Sequence, residues 1–121
     1  MNFIAVFIGG GLGSLFRYVL GLMFQKSTLL LPLSTLISNV TACIIFAVSF
    51  KLFADKFETS TSFKLLVLTG ICGGLSTFST FSYETFLLLK QGNVLWAGLN
   101  IVLNLLLCLG MFYLLYPKVE Q

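Results

Sequence analysis

Histidine is absent from this 121-residue chain, and charge is scarce: seven Lys and Arg with four Asp and Glu make up only 9% of it. Soluble domains carry roughly 25% charged residues. Eleven charges cannot cover the outer faces of a chain this size in water. Hydrophobic residues instead reach 58%, so lipid is the natural solvent, and most soluble enzymes are excluded. Cys43, Cys72 and Cys108 lie inside apolar runs, odd in number and without Cys-x-x-Cys spacing. That argues against a disulfide scaffold and, with no histidine, against zinc; they read as small apolar packers. The net charge of +3 comes from Arg17, Lys26, Lys51, Lys56, Lys64, Lys90 and Lys118 against Asp55, Glu58, Glu84 and Glu120. Scattered in this way, they make neither a nucleic-acid footprint nor a polybasic lipid signal.

What the chain does have is four long apolar segments: Asn2–Phe24, 33–53, 63–89 and Val94–Leu115. Crossing a hydrocarbon core about 30 Å thick takes about 20 helical residues, which each segment supplies. Backbone groups in lipid must be satisfied internally, so the segments are helices. The connections 25–32, 54–62 and 90–93 are short and force antiparallel neighbours. Pro32 suits the start of the second helix, and Trp96, Tyr113 and Tyr116 suit interfacial positions. The first segment lacks a basic leader and an A-x-A-like cleavage site, so it reads as a span. The expectation is one all-α transmembrane domain over residues 1–121.

Orientation is weakly encoded. Lys51, Lys56, Lys64 and Lys118 fall on one side and Lys26 and Lys90 on the other, a slight positive-inside bias that permits insertion both ways round. Four such helices pack against one another without enclosing a pore, so transport would need at least a dimer.

Two signals imitate chemistry. FIAVFIGGGLGS (3–14) resembles a strand and a glycine-rich nucleotide loop, but Ser14 replaces the third glycine and no acid precedes Asp55. Asn39-Val40-Thr41 matches a glycosylation sequon but lies inside a span. Paired carboxylates, and any nucleophile with a base beside it, are missing.

Other features are informative. Gly9, Gly13, Arg17 and Gly21 recur at i, i+4, with Gly10, Ser14 and Tyr18 alongside. The glycines read as a close-packing seam. Arg17, inside a span, snorkels, pairs or lines a wet cavity, where it would attract anions. The second helix carries Ser34, Thr35, Ser38, Asn39 and Thr41 near its start; a buried Asn bonds a neighbouring helix or donates to an anion. The third segment places Gly70, Gly73 and Gly74, each costing about 1 kcal/mol against Ala in a helix, among six hydroxyl residues within 69–82. This reads as a helix broken at mid-membrane, tolerated where it is buried in protein or lines water. Unwound carbonyls suit a hard cation; freed N–H groups and hydroxyls suit a small anion. Phe78 and Phe81 share one face beyond the break, and aromatic edges are positive.

These residues resemble the Fluc fluoride channels, or CrcB proteins, along the whole chain. The likeness is sharpest in GICGGLSTFSTFS (70–82), with support from GGLGSLFRY (10–18) and STLISN (34–39). It implies an antiparallel, dual-topology homodimer in the cell (plasma or inner) membrane. It also implies two fluoride pores and a structural Na⁺ held on the two-fold axis by main-chain carbonyls of Gly73 and Ser76. Phe78 and Phe81 match the family's pore phenylalanines, Ser79 and Thr80 its path-lining hydroxyls, and Asn39 its vestibule asparagine. Arg17 matches the first-helix arginine and Glu84 the third-helix acid. The chain departs from the pattern at Ser34, where glycine is usual, and at Cys108, where the fourth helix often has a hydroxyl; Asn104 stands one turn earlier. Two other classes remain open. A small multidrug exporter shares the helix count but wants its acid where Arg17 stands, leaving Glu84 as its proton carrier. A non-transporting subunit would use the Ser/Thr stretch for docking.

Overall fold

The computed structural model describes residues 1–117; Lys118 and Glu120, counted in the charge balance above, lie outside the described residues. The elements are α1 (Asn2–Phe24), α2 (Leu33–Thr59), α3 (61–75), α4 (Phe78–Lys90) and α5 (Val94–Leu115), with no strand among the described residues. α3 and α4 follow one another in a single span, Thr61–Lys90. With α1, α2 and α5 it makes four helical segments long and apolar enough to cross a membrane.

α2 outruns the expected segment. It kinks at Phe53 (φ −128°, ψ 23°) and stays helical to Thr59, so the expected loop 54–62 contracts to Ser60. The reason is an aromatic cluster. Phe57 is buried, with its ring 5.3 Å from Phe50 and 5.7 Å from Phe63 between centroids. Lys56 Nζ sits 4.3 Å over the Phe63 ring, a cation–π contact that lets a charge stay on a helix, while Asp55 and Glu58 remain exposed. Ser60 accepts the Phe63 N–H at 3.4 Å and starts α3. At the other end of the span, Gly92 adopts φ +78°. Its N–H bonds Leu89 and that of Asn93 bonds Leu88, a glycine C-cap that turns the chain into α5.

α1 and α3 pack backbone to backbone. A Cβ on Gly70 would come within 2.7 Å of Gly9 Cα, and one on Gly74 within 3.1 Å of Gly10 Cα and Ser14 N. Two small-residue rows spaced by four, Gly9/Gly13 and Gly70/Gly74, thus face each other and allow the approach. The glycines were expected to break the helix, and that is corrected: 65–72 form wide π turns, and Gly73 and Gly74 are helical. The extended residues are Ser76 (φ −76°, ψ 152°) and Thr77 (φ −152°, ψ 116°). Below them Leu20, Ala42, Cys72 and Leu75 form the buried core, with Ile37, Ile45 and Phe46 against it. The outer surface is apolar, with Phe3, Phe7, Leu95 and Tyr113 exposed.

Candidate functional site

Two extended residues interrupt the hydrogen-bond ladder, and side chains replace the lost partners. The Thr77 N–H, which would close a helical turn on the Gly73 carbonyl, donates instead to Asn39 Oδ1 at 2.9 Å. The Thr80 N–H, four residues beyond Ser76, donates to Thr77 Oγ1 at 3.3 Å, capping the N-terminus of α4. The Thr77 hydroxyl passes its own hydrogen to Thr80 Oγ1 (3.1 Å) and lies 3.2 Å from Ser79 Oγ. Gly73 and Ser76 carbonyls thereby lose their helical donors. Gly73 and Ser76 both line a cleft with Ala42, Cys43, Cys72 and Phe112, and a Cβ on Gly73 would meet nothing within 4 Å. Two carbonyl oxygens freed on adjacent turns are a donor set that suits a hard cation.

Three further clefts lie in a row, joined by shared walls. The first, about 250 Å³, is lined by Asn39, Thr77, Phe78, Phe81, Asn104 and Cys108, among others. The Phe78 and Phe81 rings stand 5.8 Å apart and tilted. The second, about 160 Å³, takes Thr77 from the first and adds Arg17, Thr35, Ser38, Thr80 and Glu84. The third, about 320 Å³, shares Ser34 and Glu84 with the second and opens beneath the 25–32 connection. In the second cleft Arg17 Nε donates to the Gly74 carbonyl at 3.1 Å. Thr35 Oγ1 donates to Glu84 Oε1 at 2.8 Å, whereas Glu84 Oε2 is buried with no partner among the described residues.

The expected site residues are therefore divided. Asn39, Phe78 and Phe81 meet in the first cleft, and Arg17, Thr80 and Glu84 in the second. Ser79 is exposed and lines none of these clefts, its hydroxyl lying against that of Thr77. Three residues went unrecognised in the sequence. Thr77 joins the two clefts, and Asn100 and Thr85 extend a buried polar chain behind Asn104. Asn100 and Asn104, at i, i+4 in an otherwise apolar helix, were the signal, because polar groups in lipid need partners.

The family model described as "CrcB-like protein, Camphor Resistance (CrcB)" matches residues 4–116. The chain belongs to the CrcB family. Its relatives include the fluoride-specific ion channel FluC of Cronobacter sakazakii, 45% identical over 84% of this chain and 80% of that protein. FluC 1 of Yersinia pseudotuberculosis is 41% identical over 98% of this chain and 93% of its own length. FluC of Escherichia coli K12 is 44% identical over 85% and 81%. CrcB membership separates the chain from the exporters and enzymes weighed above, and it bears out the family resemblance along the chain.

Proposed function

We propose that the chain is a fluoride-selective passive channel that releases cytoplasmic fluoride across the cell membrane, working as an antiparallel homodimer with two pores. The relatives' names support fluoride as the ion. The observation that carries the reading is the first cleft, where an amide and two aromatic rings meet beside the extended pair. A small anion entering it would exchange water for the Asn39 N–H and the positive edges of Phe78 and Phe81. The Arg17 charge in the adjoining cleft would draw the anion toward it. No coupling ion or ATP is required. A membrane potential, negative inside, is worth about 2.3 kcal/mol per charge per 100 mV and drives anions outward.

A second copy is supported by the shape of the first. Phe78 is 80% exposed on a single chain, so its cleft lacks one wall. The weak lysine asymmetry permits a partner inserted the other way up. A structural Na⁺ between the copies fits the freed carbonyls of Gly73 and Ser76. When bound it would supply a fixed positive charge where the two copies meet.

The test is fluoride and chloride efflux from liposomes holding the purified protein, followed with ion electrodes. Rapid fluoride release without chloride release is expected. A folded, dimeric protein that releases neither would overturn the reading.

A further inference from the structure

Behind the first cleft, a run of buried side chains passes hydrogen bonds in one direction only. The Thr77 N–H can only donate, so the oxygen of the Asn39 amide must face it, at 2.9 Å. Asn39 Nδ2 is then left to donate to Asn104 Oδ1, also at 2.9 Å. Asn104 Nδ2 donates to the main-chain carbonyl of Asn100 (2.9 Å) and to Asn100 Oδ1 (3.0 Å). Asn100 Nδ2 donates to Thr85 Oγ1 at 2.9 Å, and the Thr85 hydroxyl donates to the Phe81 carbonyl at 2.8 Å. Fixed-polarity backbone groups therefore stand at both ends and at the Asn100 carbonyl. Turning over any one amide would set like against like at its contacts. Burial makes that costly: Asn100 is fully buried, and Asn104 and Thr85 are nearly so.

We propose that Asn104 is a positioning residue, which with Thr77 holds the Asn39 amide in the one orientation that turns an N–H, and no oxygen, toward the ion path. Asn104 itself lines the first cleft, yet both its Nδ2 hydrogens are spent on Asn100, so it has no donor left for an anion. It acts through its oxygen. Asn39 keeps a second Nδ2 hydrogen with no acceptor among the described residues, and it lines the same cleft. The wall thus offers a donor to an anion and withholds the amide oxygens a cation would need. This deepens the channel reading and rests on it.

The test is a double-mutant cycle read as fluoride efflux from liposomes, using the native chain, Asn104→Leu, Asn39→Ala and the pair. Asn104→Leu is expected to slow efflux by roughly 10- to 150-fold, the worth of one hydrogen bond to a charged group. Added to Asn39→Ala, it should do nothing more. An equal factor in both backgrounds is the mark of a packing role and overturns the proposal. If Asn104→Leu is not recovered from the membrane, or Asn39→Ala abolishes efflux, Thr85→Val decides. That isosteric change lies outside all three clefts in the row. It should slow efflux severalfold and be rescued by Thr85→Ser; undiminished efflux overturns the proposal. A native protein that moves no fluoride brings down the channel reading and this inference together. A conducting native protein matched by Asn104→Leu brings down this inference alone.

Discussion

Replacing Gly70 with alanine tests the seam between α1 and α3 most directly. The new Cβ would sit 2.7 Å from Gly9 Cα and 3.0 Å from Gly10 N and Gly9 C. These are backbone atoms with no rotamer to yield, and ordinary contact begins at 3.4 Å. The seam must therefore open by about 0.7 Å to restore ordinary contact, and overpacking of this kind costs about 1–3 kcal/mol. The same shift stretches the 3.1 Å bond from Arg17 Nε to the Gly74 carbonyl beyond hydrogen-bond reach, and a hydrogen bond to a charged group is worth about 1.5–3 kcal/mol. A loss of roughly 2.5–6 kcal/mol is expected from the two together. Gly11→Ala is the control: its Cβ meets nothing within 4 Å, so helix propensity alone should keep it neutral or stabilise it by up to about 1 kcal/mol. Thermal unfolding of the purified proteins in detergent compares the two. Equal midpoints would refute the seam as the reason for glycine at position 70.

Phe81→Ile should cut fluoride efflux sharply while size-exclusion chromatography still shows an intact protein; normal efflux would remove the Phe81 ring from the path. Asn39→Asp should also slow fluoride, because the donor facing the cleft becomes a negative charge; efflux equal to the native chain would return Asn39 to a packing role. Thr77→Val removes the oxygen that caps the Thr80 N–H and should lower stability by about 1 kcal/mol in a denaturant titration, with no change meaning that the α4 cap is dispensable.

How far the sequence could be read follows from which groups lipid constrains. The apolar lengths of α1 and α5 were legible to the residue, because a span without water admits little but helix. α2 was underread because Asp55, Lys56 and Glu58 suggested a loop. The rings of Phe50, Phe53, Phe57 and Phe63 instead hold one face of an extended helix. The glycines of α3 were read for their cost in an isolated helix. Their benefit lies with α1, whose Gly9 and Gly13 carry the same spacing; matching the two rows would have moved the interruption to Ser76 and Thr77. Of the candidate site, Asn39, Phe78 and Phe81 were legible through their motif. Thr85 and Asn100 were not, since their value lies in partners far along the chain.

The polar chain from Asn39 to the Phe81 carbonyl also bears on how the protein is made. A ribosome delivers α2, then α3 and α4, and α5 afterwards. Until α5 arrives, Asn39 and Thr85 lack the amides of Asn104 and Asn100 that pair with them. Unpaired polar groups are poorly tolerated in hydrocarbon, so this face is expected to pack fully only once α5 is in place. α5 then bridges α2 to α4 through Asn104 and Asn100. A chain truncated before Asn100 should lack the bridge between α2 and α4, so its spans should separate at a lower denaturant concentration than those of the full chain.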